Sequence, residues 1–297
     1  MKMTTTLILL CLGVLSCGRV AQADYFTFNN GVYTTLPIGE PGFQIGINDA
    51  GQIVGTIGGQ GFLDTNGVFT TFDVPGALEA ASLSGVNNSG QIVGTYANNS
   101  GNHGFLDTNG VFTTIDDPAA SLSGTAVNGI NDVGQIVGYY ANETGDHGFL
   151  YVNGVFTTID VPGSPSTILY GINNSGEIVG VSNGGAFLIE ANGVMIPIVV
   201  PGSVGTNAFG INNSGQIVGH YSDSNFIGHG FLDTNGVVTT LDVPVGSQTQ
   251  AFGIDDSGEI VGWFNPFVIT PTPEPASLLL VVCGLAGLVS LCKLRRI

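Results

Sequence analysis

Between residues 20 and 292 the chain has no lysine and no arginine. Its five basic side chains, Lys2, Arg19, Lys293, Arg295 and Arg296, are all terminal, whereas the 22 acidic residues run from Asp24 to Glu274. Such a chain has nothing with which to displace the counterions of a phosphate backbone, so nucleic acid is excluded as a main partner. Anionic lipid surfaces are disfavoured on the same ground. Cysteine is also missing from the middle: Cys11, Cys17, Cys283 and Cys292 leave the interior without a disulfide framework or a thiolate metal site. Stability must come from packing. Only 9% of residues are charged, so candidates for general acid or base chemistry are few.

What is plentiful is glycine, at 47 residues, with Asn, Thr, Ser and Val, a composition that favours strands and tight turns. Repetition then decides the architecture. Variants of "GINNSGQIVG" begin at Gly46, Gly85, Gly129, Gly171, Gly210 and Gly253, spaced by 39, 44, 42, 39 and 43 residues. A second element alternates with them. It reads "GFLDTNGVFTTFDVPG" from Gly61, recurs from Gly104, Gly148, Ala186 and Gly230, and has a degenerate copy, "YFTFNNGVYTTLP", from Tyr25. Both elements read as hairpins, turned by Asn-Gly in one and by a Gly expected in the αL region in the other. Two hairpins give four strands in roughly 40 residues. The expectation is an all-β, six-bladed β-propeller over residues 24–265. Its first hairpin, Tyr25 to Leu36, should pair with Gly253 to Phe264 and complete one blade. An open β-solenoid is the alternative, and it would need caps at both ends.

The two ends read as targeting segments. Residues 1–23 have a Lys2 n-region, a short apolar core from Leu7 to Leu15, and small residues at Ala21 and Ala23, the features of a signal peptide cleaved before Asp24. A lipoprotein signal at Cys17 is the alternative reading. Residues 266–275 read as a linker, and 276–297 as a transmembrane helix with a basic tail. Ala276 to Cys292 is a run of 17 uncharged residues, about 26 Å as a helix. Lys293, Arg295 and Arg296 mark its cytoplasmic side. Pro273, Glu274 and Pro275, then the apolar run, then Arg295 and Arg296, together resemble the PEP-CTERM sorting signal of Gram-negative bacteria. That resemblance implies recognition by exosortase, a membrane-embedded cysteine transpeptidase-like enzyme. It also implies transient inner-membrane anchoring and delivery to the cell surface or an exopolysaccharide matrix. The repeats are similar to those of the HAF family of extracellular repeat proteins, at His103-Gly104-Phe105, His147-Gly148-Phe149 and His229-Gly230-Phe231, with Gly in place of Ala. This second resemblance implies export and no particular activity.

Candidate sites are sparse. His103, His147 and His229 recur at one repeat position, which points to a structural role at strand entry, since chemistry needs one asymmetric constellation. His220 falls where Thr95 or Tyr139 stand in other copies and reads as a variable position. Asp64, Asp107 and Asp233 in one turn, and Asp49, Asp132, Asp255 and Asp256 in the other, are hard oxygen ligands of the kind calcium takes. Asn88, Asn174 and Asn213 replace Asp in sister copies, which favours turn chemistry over metal binding. The sequence therefore supports no catalytic residue, no metal site and no cofactor, with calcium the one cation worth testing. The expected product is a monomeric, non-enzymatic surface or matrix protein with a structural or carbohydrate-binding role. A propeller lyase or hydrolase acting on polysaccharide is the alternative.

Overall fold

The computed structural model describes residues 23–36, 41–78, 81–121, 124–244 and 246–266, with the side chains of residues 41, 43 and 247 left aside. Ala23 is the first residue described. Ala21, Pro273, Glu274, Pro275, Arg295, Arg296 and the apolar run at 276–292 lie outside the described residues. Among the described residues there is no helix.

Strands β1 (Asp24–Asn29) and β2 (Val32–Leu36) come first. Blade 1 follows with β3 (Pro41–Ile47), β4 (Gln52–Ile57), β5 (Gln60–Thr65) and β6 (Val68–Phe72). Blade 2 holds β7 (Ser82–Val86), β8 (Ile92–Asn98), β9 (Gly101–Thr108) and β10 (Val111–Ile115). Blade 3 holds β11 (Thr125–Ile130), β12 (Ile136–Asn142), β13 (Gly145–Val152) and β14 (Val155–Ile159). Blade 4 holds β15 (Thr167–Ile172), β16 (Ile178–Ser182), β17 (Gly185–Ile189) and a short β18 (Met195–Pro197). Blade 5 holds β19 (Gly205–Ile211), β20 (Ile217–Ser222), β21 (Gly228–Thr234) and β22 (Val237–Leu241). The last strands are β23 (Gly246–Ile254) and β24 (Ile260–Pro266), so the final strand runs one residue past the expected boundary at 265.

These make six four-stranded antiparallel sheets, each in sequence order except one, β2-β1-β24-β23. In that sixth blade Asp24 pairs with Phe264, Tyr25 with Trp263 and Phe28 with Ile260. The two ends of the repeat array thus share one sheet, and the inner strand β23 packs against β3 of blade 1. The ring is closed, which removes the solenoid alternative. Both hairpin readings hold. Asn66, Asn109, Asn153 and Asn235 have φ of 49–55°, each followed by a Gly at positive φ, the pair of conformations a two-residue hairpin turn requires.

The core lies between blades. The third-strand phenylalanines Phe62, Phe105, Phe149, Phe187 and Phe231 are buried, each against apolar side chains of the next or previous blade. Two glycine positions are fixed by close approach. In the first strands, a Cβ on Gly210 would lie 2.6 Å from the Phe252 carbonyl oxygen of the neighbouring blade. In the third strands, a Cβ on Gly104 would lie 2.7 Å from the Ile115 carbonyl oxygen, whereas blade 4, with its shorter fourth strand, carries Ala186 at this position.

Candidate functional site

Because successive strands are antiparallel, the first and third turns of every blade emerge at one end of the propeller. The middle turn and the connection to the next blade emerge at the other. We call these the turn face and the crossover face. The first strand of each blade lines the axis, so each strand carries side chains to both mouths of the channel.

At the turn face the repeat motif builds two rings. The backbone N–H of Asp49 donates to Asn88 Oδ1 (2.9 Å), Asn88 to Asp132 (2.8 Å), Asp132 to Asn174 (2.8 Å), and Asn174 to Asn213 (2.7 Å). Asn213 donates to Asp256 (2.8 Å) and Asp256 back to Asp49 (2.8 Å), so the circle closes through all six blades. One residue earlier, Asn48, Asn87, Asn131, Asn173 and Asn212 each donate Nδ2 to the carbonyl of the equivalent residue in the next blade, at 2.9–3.1 Å. Asp255 occupies the sixth position and has no side-chain donor, so this second ring stops there. Blades 6 and 1 are joined instead by the outer-ring bond and, nearer the crossover end, by Tyr25. Its hydroxyl donates to the Thr56 carbonyl and accepts from Gly42 N–H, both at 2.8 Å. Burial pushes the Tyr25 pKa up to about 12, although both bonds act to lower it.

This geometry explains why Asp and Asn exchange freely in one ring and not in the other. Every backbone N–H of the outer ring is accepted by an Oδ1, which both residues carry, and Nδ2 of Asn88, Asn174 and Asn213 donates further to Oδ2 of a neighbouring Asp, whereas the inner ring needs an amide donor and keeps Asn in five of six copies. Asp49, Asp132 and Asp256 meet in one ring, but their Oδ1 atoms already serve the ring bonds. Asp64, Asp107 and Asp233 stay apart, one per outer hairpin. Burial raises the pKa of Asp64 and Asp107 against a backbone N–H bond that lowers it, and one oxygen of each is buried without a partner. Asp233 Oδ1 accepts from Gly236 N–H at 2.7 Å. Among the described residues no group of three or more His, Cys, Asp or Glu side chains converges as metal ligands would.

At the crossover face, His103, His147 and His229 begin the third strands of blades 2, 3 and 5. Each pairs Nδ1 with an aspartate: Asp116 at 2.8 Å, Asp160 at 2.9 Å and Asp242 at 2.9 Å. Tyr96, Tyr140 and Tyr221 lie over the three rings at 5.1–5.3 Å. His103 Nε2 is also 2.9 Å from Ser100 Oγ and Asn98 Oδ1, so both ring nitrogens are taken up locally. A constant spacing of 13 residues from His to Asp was the sequence signal for these pairs.

The axis on this side is different in kind. In five blades a bulge interrupts the first two strands, at Ser84, Asn128, Tyr170, Phe209 and Phe252, and a register shift in blade 1 spans Gln44. A bulged residue leaves the ladder and re-aims its side chain. Five of these residues, all but Gln44, line a cavity of about 90 Å³ on the axis. The blades 1–3 side is polar: Gln44 Nε2 donates to Asn128 Oδ1 at 3.1 Å, and Asn128 Nδ2 to the Leu169 carbonyl at 2.8 Å. The blades 4–6 side is aromatic. Tyr170 meets Phe209 edge-on at 5.0 Å, and Phe209 stacks on Phe252 at 4.7 Å and on His220 at 5.6 Å. His220 is therefore more than a variable position. Its Nε2 lies 3.3 Å from Asn207 Nδ2, its Nδ1 is buried without a partner, and burial lowers its pKa, which keeps the ring neutral at pH 7. Burial, with Tyr139 and Asp146 nearby, pushes the Tyr170 pKa up to about 12.

Comparison with known proteins bears on the fold. No protein-family model matches the chain, and no curated protein sequence matches it. Among solved structures it resembles a protein assigned as TolB from Agrobacterium tumefaciens, with TM-score 0.65, 11% identity, and cover of 82% of this chain and 98% of that one. TolB from Acinetobacter baumannii follows at TM-score 0.54 and 12% identity, over 82% of this chain and 64% of that one. A fungal lectin from Aleuria aurantia with a six-bladed β-propeller fold matches at TM-score 0.45 and 12% identity, over 71% and 83% of the two chains. At such identities the two TolB matches speak for the propeller fold alone.

Proposed function

We propose that this chain is an exported cell-surface or exopolysaccharide-matrix protein that binds carbohydrate without transforming it. In this reading its PEP-CTERM-like tail is handled by exosortase, with transient anchoring in the inner membrane. The observation that carries the binding role is the divided crossover mouth, where amide groups face an aromatic wall at the positions in which the six repeats differ. Polar groups that fix orientation beside apolar surface are what a small-ligand site needs. The rest of the channel is given over to holding the blades together. A lyase or hydrolase would instead need an acid and a base within reach of one substrate bond. The cavity is lined by amide, hydroxyl, aromatic and aliphatic side chains with no carboxylate among them, and the nearby His220 keeps its Nδ1 buried.

The test of the role is a titration of the full-length protein against the host's own exopolysaccharide, with and without calcium, with product analysis by reducing-end assay. Saturable binding with no new reducing ends is the expected result. Depolymerisation would replace the binding role with an enzymatic one, and absence of binding would leave a purely structural protein. The sorting role is tested separately: Glu274→Ala should hold the precursor in the membrane, and normal release of that variant would remove exosortase from the account.

A further inference from the structure

We infer that the crossover mouth takes a single, uncharged, terminal pyranose, entering end-on along the axis, one per molecule. This rests on the carbohydrate-binding reading above and narrows it in three respects.

The first is number. The hydrogen-bond rings of the turn face repeat in each blade, but the residue before the motif glycine reads Ile45, Ser84, Asn128, Tyr170, Phe209 and Phe252, and in blade 1, where Ile45 stays in the ladder, it is the adjacent Gln44 that reaches Asn128. The polar half and the aromatic half exist once, with no copy related by the blade repeat. A site made there binds one ligand, unlike a site set on each blade.

The second is direction. Below the bulge level the channel is lined by Ile47, Val86, Ile130, Ile172, Ile211 and Ile254, all buried. Beyond this belt the Asn and Asp rings surround a second cavity of about 80 Å³, so the branched side chains divide the axis in two. A polysaccharide cannot thread through, so the residue that enters must be a chain end. The cavity of about 90 Å³ has room for roughly three waters, which suits one edge of a hexose ring with its hydroxyls.

The third is charge. No Lys or Arg lies between residues 20 and 292 to pair with a carboxylate, sulfate or phosphate on the sugar. Asp146 acts on Tyr139 and Tyr170 in a sense that disfavours added negative charge. Gln44 and Asn128 are neutral amides that would exchange their mutual bond, and that of Asn128 to the Leu169 carbonyl, for sugar hydroxyls, and His220 is held neutral. Tyr170 is only partly buried and offers ring surface for the C–H face of a pyranose, as aromatic side chains with a polar tip do.

The experiment uses full-length protein and glycans ending in a neutral hexose or in the matching uronate, with affinity, stoichiometry and thermal melting measured together. Expected are one site per chain, preference for the neutral terminus, and a loss of about tenfold in affinity for Gln44→Ala and for Tyr170→Ala, a typical size for one lost polar or aromatic contact. Tyr170→Phe serves as a second variant that keeps the ring should Tyr170→Ala fold poorly, and it should retain most of the affinity. Binding that is saturable but multivalent, prefers uronates, or ignores both Gln44→Ala and Tyr170→Ala overturns this inference and leaves the carbohydrate-binding reading intact. No binding to either glycan or to the exopolysaccharide overturns both.

Discussion

At the turn end of the axis all six blades contribute the same pair of positions and nearly the same bonds. At the crossover end, only a few residues back along the same strands, six positions carry five different residue types. The two mouths are thus built from one set of strands under opposite demands. Where a side chain must reach the neighbouring blade, its chemistry is fixed by the bond it makes: an amide donor in the inner ring, an Oδ1 acceptor in the outer one. Where the bulge frees a side chain from the ladder, nothing in the frame dictates what it is, and the copies diverge. Repetition marks the parts that hold the propeller together, and divergence marks where a ligand can be recognised.

This contrast can be broken at the frame first. Gly210→Val would push side-chain atoms into the Phe252 carbonyl, where Cβ alone would already sit at 2.6 Å. Because the obstacle is backbone, a loss of about 3 kcal/mol or more is expected in urea unfolding. Asn131→Ala removes the bonds to the Asn173 carbonyl, to Gln135 Oε1 and from Gln135 N–H in a buried turn. It should cost about 2–3 kcal/mol while leaving sugar affinity unchanged. Loss of affinity with intact melting would show that the two mouths are coupled.

Tyr25→Phe unfastens the seam between blades 6 and 1 and should cost about 1–2 kcal/mol. Its pH dependence has a definite sign. The folded pKa is raised from 10.0 to about 12, so the unfolded chain gives up this proton first. The contribution is complete below pH 10 and fades as pH rises towards 12. The variant should therefore lose part of the alkaline limb of the stability profile. The smallest effect runs the other way: Asp255→Asn restores the missing donor towards the Asn48 carbonyl and should stabilise by about 0.5–1 kcal/mol. A lower melting temperature for Asp255→Asn would mean that the seam is set by something other than ring closure.

Much of this frame was legible from the residues. Asn-Gly pairs with apolar runs on either side, and a Gly three residues after the paired Asn, fix turns whose φ values the chain adopts. The repeat length then fixes four strands per blade. The order of the hairpin types also predicted that Tyr25 to Leu36 would join the last repeat. The rings were hidden because Asp and Asn look alike as turn formers, and only their partners in the next blade separate acceptor from donor roles. The mouth was hidden for a different reason. Gln44, Asn128, Tyr170 and Phe209 sit just before the recognisable motif, where period-two alternation assigns them to a blade face. The bulge breaks that alternation and turns them to the axis. His220 was passed over because its significance comes from Phe209, a residue of the partner strand.

The shared sixth blade has a consequence for the order of events in synthesis. β1 and β2 precede the other strands, yet β24, the partner of β1, and β23 beside it are made last, and Tyr25 meets Trp263 across almost the whole repeat array. Until the final repeat has emerged, the outer half of that blade has no inner half, and no ring of bonds can run full circle. Contacts so distant in sequence are late and slow to form. A growing or partly threaded chain therefore remains open until its last hairpin arrives, and the final closure links its two ends in one step.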